Sequence, residues 1–405
     1  MMSTSFRAWV TLACVSLLFF LVTALTFSSL GIVLPAMVGE GGWSWSAAGF
    51  GFTLLGAFCG ITANIPAVLI RRMGVRVTLL AGGVVIAAAF GALAATRDLT
   101  LYFIGCSLSG LGFTLLATVT GTYLLARCFH RPNFAFGVYF TIGGLGGVAG
   151  APLYFLTQAL SGGWRDFWIV SAILCLAAAI ISAVLVDTTT DQSQTGEIDE
   201  ITHERWSAAA ALRTPQFAIL AAAYSVFLIV DITVNAWSVS HLMAHGVGQT
   251  LAGSMISIGA LINAGARLAG GLVSRFVKIK TLLLLALAIL ILGLVALCFA
   301  HGPLLMLVYA AGIGIGSGLT FFASTILLLD YFGRGPNLEL FATVNLISTI
   351  GSIGPAFAGY VADRSGSFVP AFALLAVLVA MVLAAVLGMQ APKKRAAPLH
   401  LAATP

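Results

Sequence analysis

Long, uninterrupted apolar runs alternate along this chain with short polar breaks. Each run is long enough to cross a bilayer as a helix, which takes about 20 residues. Twelve runs can be read, at about 9–38, 46–70, 76–96, 99–126, 133–160, 165–186, 216–243, 250–273, 280–300, 303–329, 339–362 and 367–390. Numbered in order, they predict helices one to twelve. Lipid accepts only helices or closed barrels, because backbone polar groups find no water there. Barrel strands would alternate apolar and polar residues with period two, and these runs do not. The expected fold class is therefore an all-α integral membrane bundle. The first run, with Arg7 ahead of it, superficially resembles a signal peptide. Its extent from Trp9 to Val38 and the many runs that follow assign it to the first span.

Composition agrees with this reading. Hydrophobic residues make up 60% of the chain and charged residues 8%, where a soluble domain carries about 25% charge. The 45 glycines suit helices that pack closely in lipid. The cysteines at 14, 59, 106, 128, 175 and 298 form no CxxC pair, so neither a disulfide framework nor a metal site is indicated. No nucleophile–base set, nucleotide motif or cofactor motif is evident, so an enzyme is not expected. The net charge of +6 is scattered over short loops, which argues against nucleic acid as a partner.

Lysine and arginine set the expected orientation. With the N-terminus inside, Arg7, Arg71, Arg72, Arg76, Arg127, Arg131, Arg205, Arg213, Arg275, Lys278, Lys280, Arg334, Lys393, Lys394 and Arg395 fall on the cytoplasmic side. Arg97, Arg165 and Arg364 fall outside, and Arg267 is left within a span. The longest polar connection runs from Asp187 to Pro215 and holds Asp187, Asp191, Glu197, Asp199, Glu200 and Glu204. It predicts an N-terminal six-helix half at 1–186, a cytoplasmic linker at 187–215, a C-terminal half at 216–391 and a cytoplasmic tail at 392–405.

The halves repeat in sequence. Cys128-Phe129-His130-Arg131-Pro132-Asn133 recurs as Tyr331-Phe332-Gly333-Arg334-Gly335-Pro336-Asn337. Each copy precedes a glycine-rich stretch ending in proline, Gly143 to Pro152 and Gly351 to Pro355. The segment from Leu69 to Arg76 matches Leu272 to Lys280, in the same predicted orientation. Two parallel six-helix repeats form a known transporter plan, with substrate bound between them near the midplane.

On these features the chain resembles the major facilitator superfamily over nearly its whole length. Leu69, Arg72, Gly74 and Arg76 look like a degenerate copy of that superfamily's loop between helices two and three, with Arg71 at the usual acidic position. The second copy carries Gly270, Leu272, Arg275 and Lys278, with Ser274 at the acidic position. Within the superfamily, three segments resemble the monocarboxylate transporter and oxalate/formate antiporter branch. These are Gly42-Trp43-Ser44-Trp45-Ser46 before helix two, Phe129 to Gly163-Trp164-Arg165 around helix five, and Asn263 to Gly271 in helix eight.

Arg267 is the chemically sharpest residue. It is the lone charge in the stretch Leu251 to Val273. A guanidinium at mid-bilayer costs at least about 2.5–3.5 kcal/mol, so it normally faces a bundle interior or a wet cavity. Its fixed fork suits a carboxylate, and the resemblance implies the same role. The alternative is a structural ion pair that locks helix eight to a neighbour. Asp231 is the acidic residue nearest the middle of a span, in helix seven, with Asn235 one turn on and sharing its face. Asp231 and Arg267 are expected to neutralise each other in an empty site, which makes Asp231 the candidate proton-coupling residue. Asn263 precedes Arg267 by one turn. The resembled branch commonly carries an acid there, so Asn263 is a candidate to hydrogen-bond substrate while Asp231 takes over coupling.

Helix one contains no lysine and offers Thr23, Thr26, Ser28 and Ser29. Helix eleven offers Asn345 alone among strongly polar groups at depth. A single fixed cation favours a substrate of single negative charge. Tyr123, Tyr139, Trp237 and Tyr309 are aromatic candidates to line a cavity, with packing as the commoner role. His241 and His245 are expected as a polar cap at the outer end of helix seven, a titratable role being the rarer alternative. Asn64 and Gln158 are unranked cavity or packing residues. Gly143, Gly144, Gly146, Gly147 and Gly150 predict close approach of helix five to its neighbours. Arg71 is expected to pair with Glu339 or Asp330 as a cytoplasmic gate, against the plainer reading of a positive-inside arginine.

The sequence thus predicts a monomeric secondary transporter of the cell inner membrane, both termini cytoplasmic, without cofactor or metal. It is expected to work by alternating access on a small organic anion, most simply a monocarboxylate with proton symport. An organic-anion exchanger and a drug or siderophore exporter are the alternatives, together with a non-transporting receptor on the same fold.

Overall fold

Glycines and prolines, more than the apolar runs they interrupt, shape the path of this bundle. The computed structural model describes residues 4–129, 132–186, 206–300, 302–333 and 337–392. The greater part of the expected linker, the tail from Lys393, and Arg131, Arg205 and Arg334 lie outside the described residues.

Among the described residues, eleven helical segments are long and apolar enough to cross a membrane, and Trp45–Ile61 is a shorter apolar helix. The segment Ile65–Ala94 is two helices joined at Gly74, whose φ of 84° breaks the spiral. Its first part continues helix two and its second part is helix three. The chain therefore makes the twelve passes that the hydropathy pattern predicts. Only glycine takes a positive φ without steric cost, so the expected loop at Leu69–Arg76 contracts to a turn about Gly74.

Helix one comprises Thr4–Thr23, a π-helical turn at Ala24–Ser28, and Ser29–Gly41. Gly42 ends it in the left-handed conformation, and the Ser44 side chain accepts from the Ala47 N–H to start helix two. Helix four is broken at Ala117 into Leu99–Leu116 and Thr118–Cys128. Helices five and six are Pro132–Ser161 and Trp164–Leu185. In the second half, helices seven to ten are Pro215–Ala244, Gln249–Val273, Ile279–Cys298 and Pro303–Phe332. Helix eleven runs as Asn337–Ser348, a 3₁₀ turn at Thr349–Ile353, and Gly354–Ser365, and helix twelve is Val369–Gly388. Hydropathy does not reveal these internal breaks, because a broken helix and a straight one are equally apolar.

Packing repeats between the halves. Helix three packs on helices four and six, as helix nine packs on ten and twelve. The halves meet through helix one on seven, two on eleven, and five on eight. Glycine makes these crossings close. A methyl group at Gly31 would strike the Asn235 carbonyl, at Gly49 the Pro355 carbonyl, and at Gly359 the Trp45 carbonyl. The glycines of helix five serve the approach expected of them: Gly143 receives Phe19, Gly146 the Phe20 carbonyl, Gly147 Ala260 and Gly150 Ser28. Gly144 meets nothing within contact range.

One end of the seam, the end bearing Trp45, is closed. The Trp45 and Ser46 N–H groups each donate to Asp363 at 2.9 Å, and Gln249 Nε2 donates to the Ile32 carbonyl at 3.0 Å. Trp237 stacks on Phe368 at 5.0 Å with Trp45 edge-on at 5.6 Å, and Trp237 Nε1 donates to the Pro355 carbonyl. On the same end Glu40 accepts from Trp164 Nε1 and pairs with Arg165 at 2.8 Å, tying helices one and six. At the opposite end Arg71, Arg72, Asp330 and Glu339 are exposed. No ion pair joins these four among the described residues. The expected Arg71 gate contact is therefore absent from this arrangement.

Candidate functional site

Arg267 lies on helix eight, about two turns from its end, and its guanidinium carbon sits 4.3 Å from the centre of the Phe321 ring on helix ten. A ring face attracts a cation through its quadrupole. Among the described residues no acid lies within ion-pair distance of Arg267, and its buried Nε has no hydrogen-bond partner. Such an orphaned donor calls for an explanation, since leaving a buried charged donor unmet costs several kcal/mol at the upper end, about 1–3 for a neutral one.

This corrects the expected ion pair. Asp231 does not bond Arg267. Its backbone carbonyl accepts from Asn235 Nδ2 at 2.8 Å and its carboxylate from the same amide at 3.5 Å. The helical spacing of four residues brings the two side chains together, as the sequence requires. Asp231 and Arg267 remain near enough for their charges to interact. Helix seven thus carries Tyr224, Asp231 and Asn235 on nearly one face along about three turns.

Tyr224 donates to Asn345 Oδ1 at 3.2 Å, linking helices seven and eleven, and Asn345 Nδ2 donates to the Phe341 carbonyl. Tyr224 also contacts Phe227, Phe321 and Phe341 through its ring. The result is one cluster from four helices: a cation on an aromatic floor, an acid with its amide, and a tyrosine–asparagine pair. Asn263 lies one turn from Arg267, half-buried, and its backbone carbonyl packs at Gly318 of helix ten. Helices seven, eight and eleven also carry the contacts to the first half at Gly31, Gly147, Gly56 and Gly60. The cluster therefore lies beside the seam.

Other expected site residues sit elsewhere. Tyr123 accepts a hydrogen bond from Arg127 on its own helix and lies under that guanidinium at 5.3 Å. Ser28 is buried in the π-helical turn against Gly150, at the crossing of helices one and five. Tyr139, Trp237 and Tyr309 are fully buried among the packed helices. His241 is not an interfacial cap: it is buried and its Nε2 lies 3.0 Å from the Leu297 carbonyl, fastening helix seven to nine. The His245 ring lies near it, tilted by 60° with centroids 4.5 Å apart. Asn64 is exposed at the break in helix two, and Gln158 is half-buried on helix five. Arg71 and Glu339 are described above.

Sequence reading missed Tyr224 and Phe321. Tyr224 was discoverable, being seven residues before Asp231 and so on nearly the same helix face. Phe321 carried no local signal, since its role depends on which helix lies opposite Arg267. Replacing Phe321 with Leu is expected to remove the contact to Arg267 and lower stability by about 0.5–2 kcal/mol, the range of a cation–π contact, and replacement with Tyr to preserve it. Thermal melting of the purified protein checks both.

Comparison with known proteins bears on the whole chain. The family model for the Major Facilitator Superfamily matches residues 16–353. An uncharacterized transporter, YycB of Bacillus subtilis (strain 168), is 24% identical over 382 residues, covering 90% of this chain and 92% of that protein. Among solved structures, a bacterial homolog of the human lysosomal transporter Spinster, inward-facing and occupied, aligns with a TM-score of 0.76 at 14% identity, over 95% of this chain and 97% of that one. Its inward-facing unoccupied form aligns with a TM-score of 0.68 at 16% identity, over 95% of each chain. These two likenesses concern the fold. With twelve passes, two repeated halves and a matched family model covering most of its length, the chain is a multi-pass membrane protein and belongs to the Major Facilitator Superfamily.

Proposed function

We propose that this transporter carries a small organic anion, most simply a monocarboxylate, by alternating access coupled to proton symport. The observation that carries the reading is Arg267: an intramembrane guanidinium beside the seam, resting on Phe321, with no acid bonded to it among the described residues. A carboxylate presents two acceptors to such a fork. One fixed cation matches one negative charge, and the amides of Asn263, Asn235 and Asn345 with the Tyr224 hydroxyl suit the neutral polar parts of the substrate. The anion would neutralise Arg267, and a proton would neutralise Asp231. The loaded site would then cross between conformations without net intramembrane charge, which lipid disfavours.

Positive-inside reasoning places the Trp45 end outside and the Arg71 end in the cytoplasm. On that assignment the closed end is the outer one, in a protein of the cell inner membrane acting as a monomer. The test is uptake into proteoliposomes holding no internal anion. A pH gradient, acid outside, is expected to drive uptake of a monocarboxylate by the wild type. Asp231→Asn is expected to retain exchange of internal for external anion while losing gradient-driven accumulation. Uptake that requires internal anion in the wild type would replace symport by exchange.

A further inference from the structure

Asp363 makes a contact that no transport chemistry requires. It lies near the end of helix eleven, in the second half, yet both its carboxylate oxygens bind the first half: Oδ1 takes the Trp45 N–H and Oδ2 the Ser46 N–H, each at 2.9 Å. These are the first two N–H groups of helix two, which begins at Trp45 behind the Ser44 cap. Such groups have no partner within their own helix, and the helix dipole adds positive charge at that end. The closed end thus fastens two free backbone donors with a charge from the other half.

Among the described residues, no carboxylate caps the start of helix eight at its pseudo-symmetric crossing with helix five. Helix eight starts behind Gly248, without a side-chain cap, and helix five ends at Ser161, with no acid there. At the far end of the same two–eleven pair, Arg71 and Glu339 are exposed and unbonded to one another. Asp363 is therefore the charged member of the closure among the described residues, beside the neutral bond from Gln249 to the Ile32 carbonyl at the same end.

We propose that Asp363, bound to the N-terminus of helix two, is a one-sided latch that sets the resting state of the transporter with its Trp45 end closed. The carboxylate must let go of both N–H groups when that end opens, because they belong to different halves. Opening exposes those donors to water, so the latch is reversible. Removing it raises the population open at the Trp45 end. Two charge-assisted hydrogen bonds are exchanged for two bonds to water, and the expected shift is on the order of tenfold.

The experiment measures distances by pulsed electron paramagnetic resonance in the full chain, in nanodiscs, without added substrate. Spin labels enter through non-canonical residues at exposed sites, Ser161 with Leu304 to report the Trp45 end and Met73 with Phe276 to report the Arg71 end. The native cysteines stay in place. Wild type is expected to show one predominant short distance for the first pair. Asp363→Asn, which keeps the shape and removes the charge, is expected to populate a longer distance there and a shorter one for the second pair. Ser46→Pro removes one donor from the first turn, where proline is tolerated, and is expected to act in the same direction. Ser46→Ala keeps the backbone donor and is expected to match wild type. Unchanged distances in both Asp363→Asn and Ser46→Pro, with melting temperatures near wild type, would overturn the latch. So would an equal shift in Ser46→Ala, which would assign the effect to the side chain.

Discussion

Arg267→Ala is expected to abolish measurable anion binding, with a loss of affinity on the order of a hundredfold or more. A bidentate charge-assisted contact contributes about 1.5–3 kcal/mol per charged hydrogen bond, and no second intramembrane cation stands in this cluster to replace it. Arg267→Lys is expected to be nearly as damaging, because an ammonium is a point charge without the fork. The informative companion measurement is the melting temperature without ligand. If Arg267 serves an anion, its guanidinium is strained by burial in the empty protein, since Nε is buried and unbonded. Removing it then leaves the empty protein as stable as before or more so, while the stabilisation by a monocarboxylate disappears. If Arg267 were a structural tie, the alanine variant would melt lower and still respond to the anion. The two outcomes have opposite signs, so one titration series across a panel of mono- and dicarboxylates separates them.

The second large effect is expected at a glycine. Gly49→Val is predicted to stop the transport cycle while leaving each half folded. The side chain would run into the Pro355 carbonyl and the Trp237 ring, both in the second half. Neither a backbone carbonyl nor a fully buried tryptophan can move aside cheaply, so the Trp45 end cannot close. Gly359→Val makes the same obstruction from the other side, against the Trp45 carbonyl. A contrasting substitution is Gly312→Val, which faces Gly293 inside the second half. It opposes packing of helices nine and ten and is expected to lower stability and yield. Labelling of an introduced thiol at the seam would read the difference. Gly49→Val gives a folded protein with its Trp45 end permanently accessible and no uptake, whereas Gly312→Val gives less folded protein.

Much of the site was legible because its chemistry is rare in lipid. A charge within an apolar run stands out against its surroundings, so Arg267 and Asp231 could be named from sequence. Asn235 and Asn263 followed from helical spacing, which a single helix already fixes. The pairing of Asp231 with Arg267 did not follow. Two opposite charges on neighbouring helices were expected to meet, but rotation of each helix about its own axis decides that, and here Asp231 turns to Asn235 and Arg267 to Phe321. The aromatic candidates took the commoner of the two roles open to them. Trp237, Tyr139 and Tyr309 are large apolar bodies that either a cavity or a core accepts, and composition does not distinguish the two.

The sequence alone determined that the chain crosses the membrane twelve times, that its halves repeat, and where its intramembrane charges fall. These are properties of one segment at a time, set by the cost of exposing backbone or charge to lipid. The tertiary structure alone decided which residues meet. The aromatic floor under Arg267, the Tyr224–Asn345 link and the Asp363 contact with helix two all join residues far apart in sequence. Their energies depend on the relative rotation and depth of whole helices. Those are set by the packing of all the others, and no single run of residues encodes them.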